Sequence, residues 1–290
     1  MTAEQTERGA EAEAEASDGA RAADKSGNGV VAAFGQTLKT LRLRAGMERE
    51  ELGKRLGYSA SSIASFEQGR RIPPPRAIDR ADEALDAGGL LALWKEEVEK
   101  AQYPVFFQGM AQLEKQAMEL LVYDTHVVNG LLQTEEYMRA LLAMRRPYLD
   151  QETAEQRVSA RLARQDIFDR RPTPLLSFVM DESVLRHRYG GRDVVRGQLE
   201  LLLLIGQKRN VELQVMPTEC DDNAGVNGPF TVVTRKDGKK FLYVEALNTS
   251  SLETEPAQTV LASARYGIIR SQALTPRESL EFIEKLLGEL

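Results

Sequence analysis

Between Glu48 and Gly69 the sequence reads as two short helices joined by a tight turn, and that spacing constrains the fold more than any other feature of the chain. Leu52 and Leu56, four apart, share one face of the first helix. Gly57 follows where a left-handed stop is required, a conformation glycine adopts without a Cβ clash. Ser59 is placed to cap a second helix by accepting a hydrogen bond from a free N–H near Ser61 or Ser62. That second helix buries Ile63 and Phe66, while its other face carries Ala60, Ser61, Ser62, Ser65 and Gln68, all small or polar. A helix of this kind fits a DNA major groove: serine hydroxyls reach base edges there, and an alanine methyl meets the thymine methyl.

The rest of the chain divides around this stretch. Residues 1–29 are rich in Ala, Glu, Asp, Gly and Ser and poor in large apolar side chains, a composition expected to give a disordered acidic tail. Val31, Phe34, Leu38 and Leu41 recur at helical spacing and predict a first helix ending near Gly46. Pro73–Pro75 stops one helix and starts the next. Ile78, Ala81 and Leu85, then Leu90, Leu91, Leu93 and Trp94, predict two more helices separated by Gly88-Gly89. A helical DNA-binding domain over 30–102 is expected, then a second domain over 103–290, with Pro104 breaking the chain between them.

Charge supports a division of labour. The formal net charge is −6, yet residues 34–80 hold ten Lys/Arg against five Asp/Glu, so this segment is +5 and the remainder −11. A basic module in an acidic chain fits focused phosphate binding.

Beyond residue 103 the strand candidates are Leu175–Met180, Val211–Met216, Phe230–Thr234 and Phe241–Ala246, with Lys236–Lys239 as a hairpin turn between the last two. Helices are expected at about 151–169, 193–207, 256–269 and 276–287, which makes this an α+β domain with a small, mostly antiparallel sheet.

Two resemblances follow from these residues. Leu41-Arg42, Ala45-Gly46-Met47, Glu51-Leu52, Leu56-Gly57-Tyr58-Ser59, Ile63 and Phe66-Glu67-x-Gly69 resemble the Cro/CI-type (XRE) helix-turn-helix, with Gly53 standing where that family usually has alanine. The resemblance implies a five-helix all-α module. It also implies an ion pair of Arg42 with Glu67 that ties the first helix to the end of the third. Ala60, Ser61, Ser62 and Ser65 would read bases, and Arg49, Ser59, Gln68, Arg70 and Arg71 would meet phosphates. Arg49 has a second reading, as a solvated arginine among Glu48, Glu50 and Glu51.

In the second half, Gly130-Leu131-Leu132-Gln133-Thr134, Tyr137, Arg139-Ala140, Arg161, Arg164-Gln165, Asp181-Glu182, Gly228-Pro229-Phe230 and Glu245 resemble the C-terminal domain of actinobacterial WhiJ-like regulators. The helix-turn-helix is expected to act on a double-stranded DNA operator as a homodimer, with two recognition helices in successive major grooves, and the second resemblance implies a repressor of developmental or antibiotic-production genes. Its alternative is an antitoxin-like protein that masks a small partner encoded by an adjacent gene.

Other chemistry finds little support. His126, His187 and Cys220 stand in no metal-ligand spacing, and no triad order, Walker loop or dinucleotide glycine pattern occurs. No cofactor, metal or catalytic residue is expected, and the chain is not read as an enzyme. A single cysteine, no basic-then-apolar leader and no apolar run near the roughly 18–20 residues that cross a bilayer point to a cytoplasmic protein without a membrane partner.

Arg157, Arg161 and Arg164 fall on one face of the helix at 151–169. They either hold an anionic ligand or partner surface, or form a solvated face paired with acids such as Glu155 and Asp181. With Gly130, Gln133, Gly228 and Phe230 in glycine-bearing loops, they are the candidate ligand or partner site of the second domain.

Overall fold

The computed structural model describes residues 29–247 and 249–290, so the acidic tail lies, but for Gly29, outside the described residues. The chain divides into two units between Gln108 and Gly109.

The first unit is helical: α1 (29–44), α2 (Arg49–Leu56), α3 (Ala60–Glu67), α4 (Pro75–Ala84), a 3-10 turn (Ala92–Trp94) and α5 (Lys95–Lys100). Each boundary has a local cause. Gly57 ends α2 at φ 81°, ψ 32°. Ser59 caps α3, accepting from the Ser62 N–H at 3.1 Å. Pro74 and Pro75 open α4 with extended and then helical backbone. Asp82 takes the N–H groups of Gly89, Leu91 and Ala92 at 2.7–3.1 Å, which shapes the turn into the 3-10 segment. Phe34, Leu38, Leu52, Leu56, Ile63, Phe66, Ile78 and Leu91 form one buried core, with Trp94 packed at its margin.

Helix α6 (Val105–Gln116) leads into β1 (Ala117–Asp124) of the second unit. The six strands run in the order β3-β2-β1-β4-β5-β6. Here β2 is Leu175–Asp181, β3 Val211–Met216, β4 Phe230–Arg235, β5 Lys240–Ala246 and β6 Thr249–Glu253. The β1–β2 and β2–β3 pairs are parallel and the other three antiparallel. Parallel pairs need crossovers. The first consists of α7 (Glu135–Ala143), α8 (Gln151–Arg164) and a 3-10 turn (Gln165–Asp169), the second of α9 (Glu182–Arg186) and α10 (Arg192–Gly206).

Two helices complete the unit, α11 (Pro256–Gln272) and α12 (Pro276–Glu289). On one face of the sheet, Leu121, Tyr123, Val179 and Val232 pack with Ala262, Tyr266 and Ile269 of α11. Leu120, Val122 and Phe178 alternate with them and are equally buried, so the central strands are covered on both sides. Strands β1 and β6 lie outside the four strands expected from sequence. The run from Leu120 to Tyr123 is apolar throughout because β1 is central, so it shows no period of two.

Candidate nucleic-acid interface

Helices α2 and α3 are set against each other by small residues as much as by large ones. A Cβ on Gly53 would stand 2.5 Å from the Tyr58 carbonyl oxygen, and the Gly53 carbonyl accepts from both Gly57 and Tyr58 N–H at 2.8 Å. The mid-helix glycine is therefore what lets the turn fold back so tightly. A Cβ on Gly35 of α1 would lie 2.5 Å from the Phe66 carbonyl oxygen and 2.6 Å from that of Glu67. Helix α1 thus runs directly against the end of α3. Tyr58 packs edge-on to Phe66 with ring centroids 5.4 Å apart.

A buried charge network locks the same junction. Arg42 and Glu67 are 4% and 3% exposed. The Arg42 Nε donates to Glu67 Oε1, its Nη2 to Glu67 Oε2 at 3.3 Å, and its Nη1 to the Met47 carbonyl at 2.6 Å. Arg49 joins from α2, its Nε donating to Glu67 Oε2 at 2.8 Å. Glu67 therefore accepts from two guanidiniums. This amends the sequence reading of Arg49: it is not solvated among Glu48, Glu50 and Glu51, but is anchored on Glu67 while its side chain stays 38% exposed. The acids of α2 pair elsewhere, Glu50 with Lys54 and Glu51 with Arg55.

The outer face of α3 is short and hydroxyl-rich. Ala60 and Ser61 are exposed, and Ser62 and Ser65 are half-buried. The Ser59 oxygen lies 2.9 Å from both the Ser61 and the Ser62 hydroxyls, so the cap and the first turn of α3 form one hydroxyl cluster. The Ser59 oxygen also accepts from the Ser62 N–H, so it serves as the cap of α3. At the other end Gln68, Arg70 and Arg71 are exposed. The Arg70 and Arg71 N–H groups both bond the Ser65 carbonyl, and the Arg71 guanidinium lies 5.7 Å from the Phe66 ring centroid. The arrangement offers hydroxyls and a methyl at the front of the helix, with cations at its C-terminal end.

The candidate residues of the second unit are not one site. Arg164 donates to both oxygens of Glu114 at 2.7 Å, and the two side chains are 8% and 6% exposed. Arg161 Nη1 donates to Gln133 Oε1 at 3.2 Å. Arg157 is 9% exposed and Gln133 2%. A Cβ on Gly130 would be 3.3 Å from Arg164 Nη1, so the 128–134 loop lies close over these arginines. Phe230 instead packs on Tyr123 and Tyr266, with ring centroids 6.3 and 6.4 Å away, in the core beneath α11, and Gly228 precedes it at φ 102°.

The expected pairings are also corrected. The arginine face is not solvated. Glu155 pairs with Arg139, and Asp181 caps α9 through the Ser183 N–H at 3.0 Å.

One carboxyl escaped the sequence reading. Asp124 ends β1, and its Oδ2 is out of contact with water and has no hydrogen-bond partner among the described residues. Burial pushes this carboxyl up to about 7, against the lowering effect of a hydrogen bond from Asn129. Among the described residues no group of three His, Cys, Asp or Glu side chains could hold a metal ion, and no helix is long and apolar enough to cross a membrane.

Comparison with known families divides the chain along similar lines. Residues 33–94 match a helix-turn-helix domain, and residues 107–285 match a domain of unknown function, DUF5753. No curated protein and no solved structure matches the chain.

Proposed function

We propose that this chain, which belongs to the DUF5753 family and carries a helix-turn-helix domain, is a sequence-specific transcriptional regulator whose α3 reads the major groove. The helix-turn-helix match supports a DNA-binding regulator. The observation that carries the finer reading is the asymmetry of α3. Ile63, Phe66 and Glu67 are buried to within 3% of full exclusion, while Ala60 and Ser61 are exposed on a helix packed closely at Gly35 and tied by the Arg42–Glu67–Arg49 network.

In this reading Ala60, Ser61, Ser62 and Ser65 discriminate bases. Gln68, Arg70, Arg71 and the outer edge of Arg49 fix register on phosphates. Ser59 contributes through its cap, since its oxygen holds α3 in place. A homodimer would set two such helices in successive major grooves, and the regulator would act as a repressor of developmental or antibiotic-production genes. The resemblance to WhiJ-like regulators supports the repressor role, and the helix-turn-helix geometry supports the paired grooves.

Genome-wide footprinting of the tagged protein, followed by gel shifts on the recovered sites, tests the reading. Ser61→Arg fills the groove-facing side and should abolish site preference; a variant that kept the wild-type footprint would mean that another surface reads the bases. Arg70→Ala should weaken all sequences alike and reduce the salt slope by about one. A small protein that co-purifies and removes the chain from DNA would turn the reading toward the antitoxin-like alternative.

A further inference from the structure

We propose that the second unit binds a small oxyanion, a carboxylate or a phosphate group, at Arg161 on the inner face of α8.

The arginines of this region are unequally partnered. Arg164, three residues further along α8, has both oxygens of Glu114 at 2.7 Å. Arg139 has Glu135 and Glu155. Arg161 is half-buried, and its hydrogen-bond partner among the described residues is the neutral Gln133 Oε1 at 3.2 Å. A guanidinium carries five N–H donors in a fixed fork, so this contact leaves most of that capacity unspent. The remaining N–H groups of Arg161 are not sealed off from solvent among the described residues, so they stay open to an incoming acceptor.

The surroundings deepen that imbalance. Burial pulls the Arg161 guanidinium down to about 10; the like charges of Arg164, Arg157 and Arg145 add to the effect, and Glu245 opposes it. Glu245 is exposed and accepts from the Tyr243 hydroxyl at 2.9 Å. Desolvation weighs most against the cation here, and a bound anion would offset it directly.

The site is also built, not loose. Gln133 is 2% exposed, its side-chain nitrogen donates to the Val128 carbonyl at 2.6 Å, and its main-chain carbonyl accepts from the Gln165 side chain at 2.8 Å. The first bond fixes the side-chain amide so that its oxygen faces Arg161 and orients the fork, and the second holds the main chain that carries it. Charge-assisted, two-pronged bonding to a carboxylate or phosphate is the chemistry such a guanidinium serves best. Gln133 is the positioning residue, and Arg161 is the one that touches the ligand.

This inference is independent of the DNA-binding reading, and its test does not use DNA. Inorganic phosphate and, separately, citrate are titrated calorimetrically into the full chain at constant ionic strength. Wild type should bind at least one of them saturably, one per chain. Arg161→Gln should lower that affinity by about tenfold or more, the loss of one charge-assisted pair. Arg161→Lys keeps the charge without the fork and should fall between the two.

Arg277→Gln, which alters an arginine 90% exposed on α12, should leave binding unchanged. If Arg161→Gln does not fold, Arg161→Lys and Gln133→Ala carry the test, each expected to weaken binding with the fold intact by circular dichroism. Absence of saturable binding of either anion to wild type overturns the proposal. So does binding that persists in the Arg161 variants, because the anion would then sit elsewhere.

Discussion

Replacing Glu67 by glutamine removes one negative charge from a junction where two guanidiniums converge, and its cost can be worked from the geometry. Arg42 is 4% exposed, and its carboxylate partner is Glu67. Breaking a buried pair from one side leaves an uncompensated charge and costs about 3–5 kcal/mol. A small domain has a total stability of only about 5–15 kcal/mol. With a urea slope near about 1 kcal/mol per M for a unit of this size, the midpoint should fall by about 3 M or more.

The assay is unusually clean because the sequence has a single tryptophan, Trp94, and it packs against the core of the first unit. Its fluorescence follows that unit alone during urea unfolding. Arg49→Ala, which removes the 38% exposed partner, should cost no more than about 1 kcal/mol. The pair Arg42→Met with Glu67→Met replaces ions by apolar groups of similar length and should recover most of the loss. A Glu67→Gln midpoint no lower than that of Arg49→Ala would refute the argument that the buried charge, and not its exposed neighbour, fastens α1 to α3.

Five further substitutions probe the packing and the buried charges. Gly35→Ala forces a methyl to within 2.6 Å of two carbonyl oxygens and should destabilise the first unit by about 1–3 kcal/mol by Trp94 fluorescence, whereas Gly267→Ala, with nothing within 4 Å on α11, should stabilise the second by about 1 kcal/mol in circular dichroism melts. Asp124→Asn should act through pH: the folded carboxyl, raised to about 7, holds its proton where the unfolded one, near 3.8, has lost it, so wild-type stability falls as pH rises from about 4 to 7. The variant should lack that fall and be more stable at pH 8 by up to about 4 kcal/mol, since one unit is 1.36 kcal/mol; identical pH profiles would remove Asp124 from the account. Glu114→Gln strips the buried Arg164 of its carboxylate and should cost about 3–5 kcal/mol in the same melts, while exposed Arg277→Ala should change them by less than about 0.5 kcal/mol.

What the sequence discloses here depends on how far apart the partners lie along it. The turn between α2 and α3 is written within ten residues: Gly57 must adopt positive φ, Ser59 must cap, and each requirement selects a residue type that can be read by eye. The hairpin of β4 and β5 is equally local, closed by Arg235–Lys240 around Gly238 at φ 78°. The arginines of α8 are the opposite case. Their helical spacing is plain, but whether such a stripe faces water is decided by Glu114, fifty residues earlier, and by a loop whose Gly130 lies against Arg164. Glu155 and Asp181 were the plausible acids by proximity, and both are occupied elsewhere. Strand β1 was hidden for a related reason, since a strand buried on both faces loses the alternation that marks strands in sequence. Arg49 falls between these cases: its place in the first turn of α2 is local, but its attachment to Glu67 depends on the packing of α3 against α1. A position that a sequence pattern assigns to DNA is therefore also a member of the network that keeps the recognition helix in place, and mutating it changes the frame together with the contact.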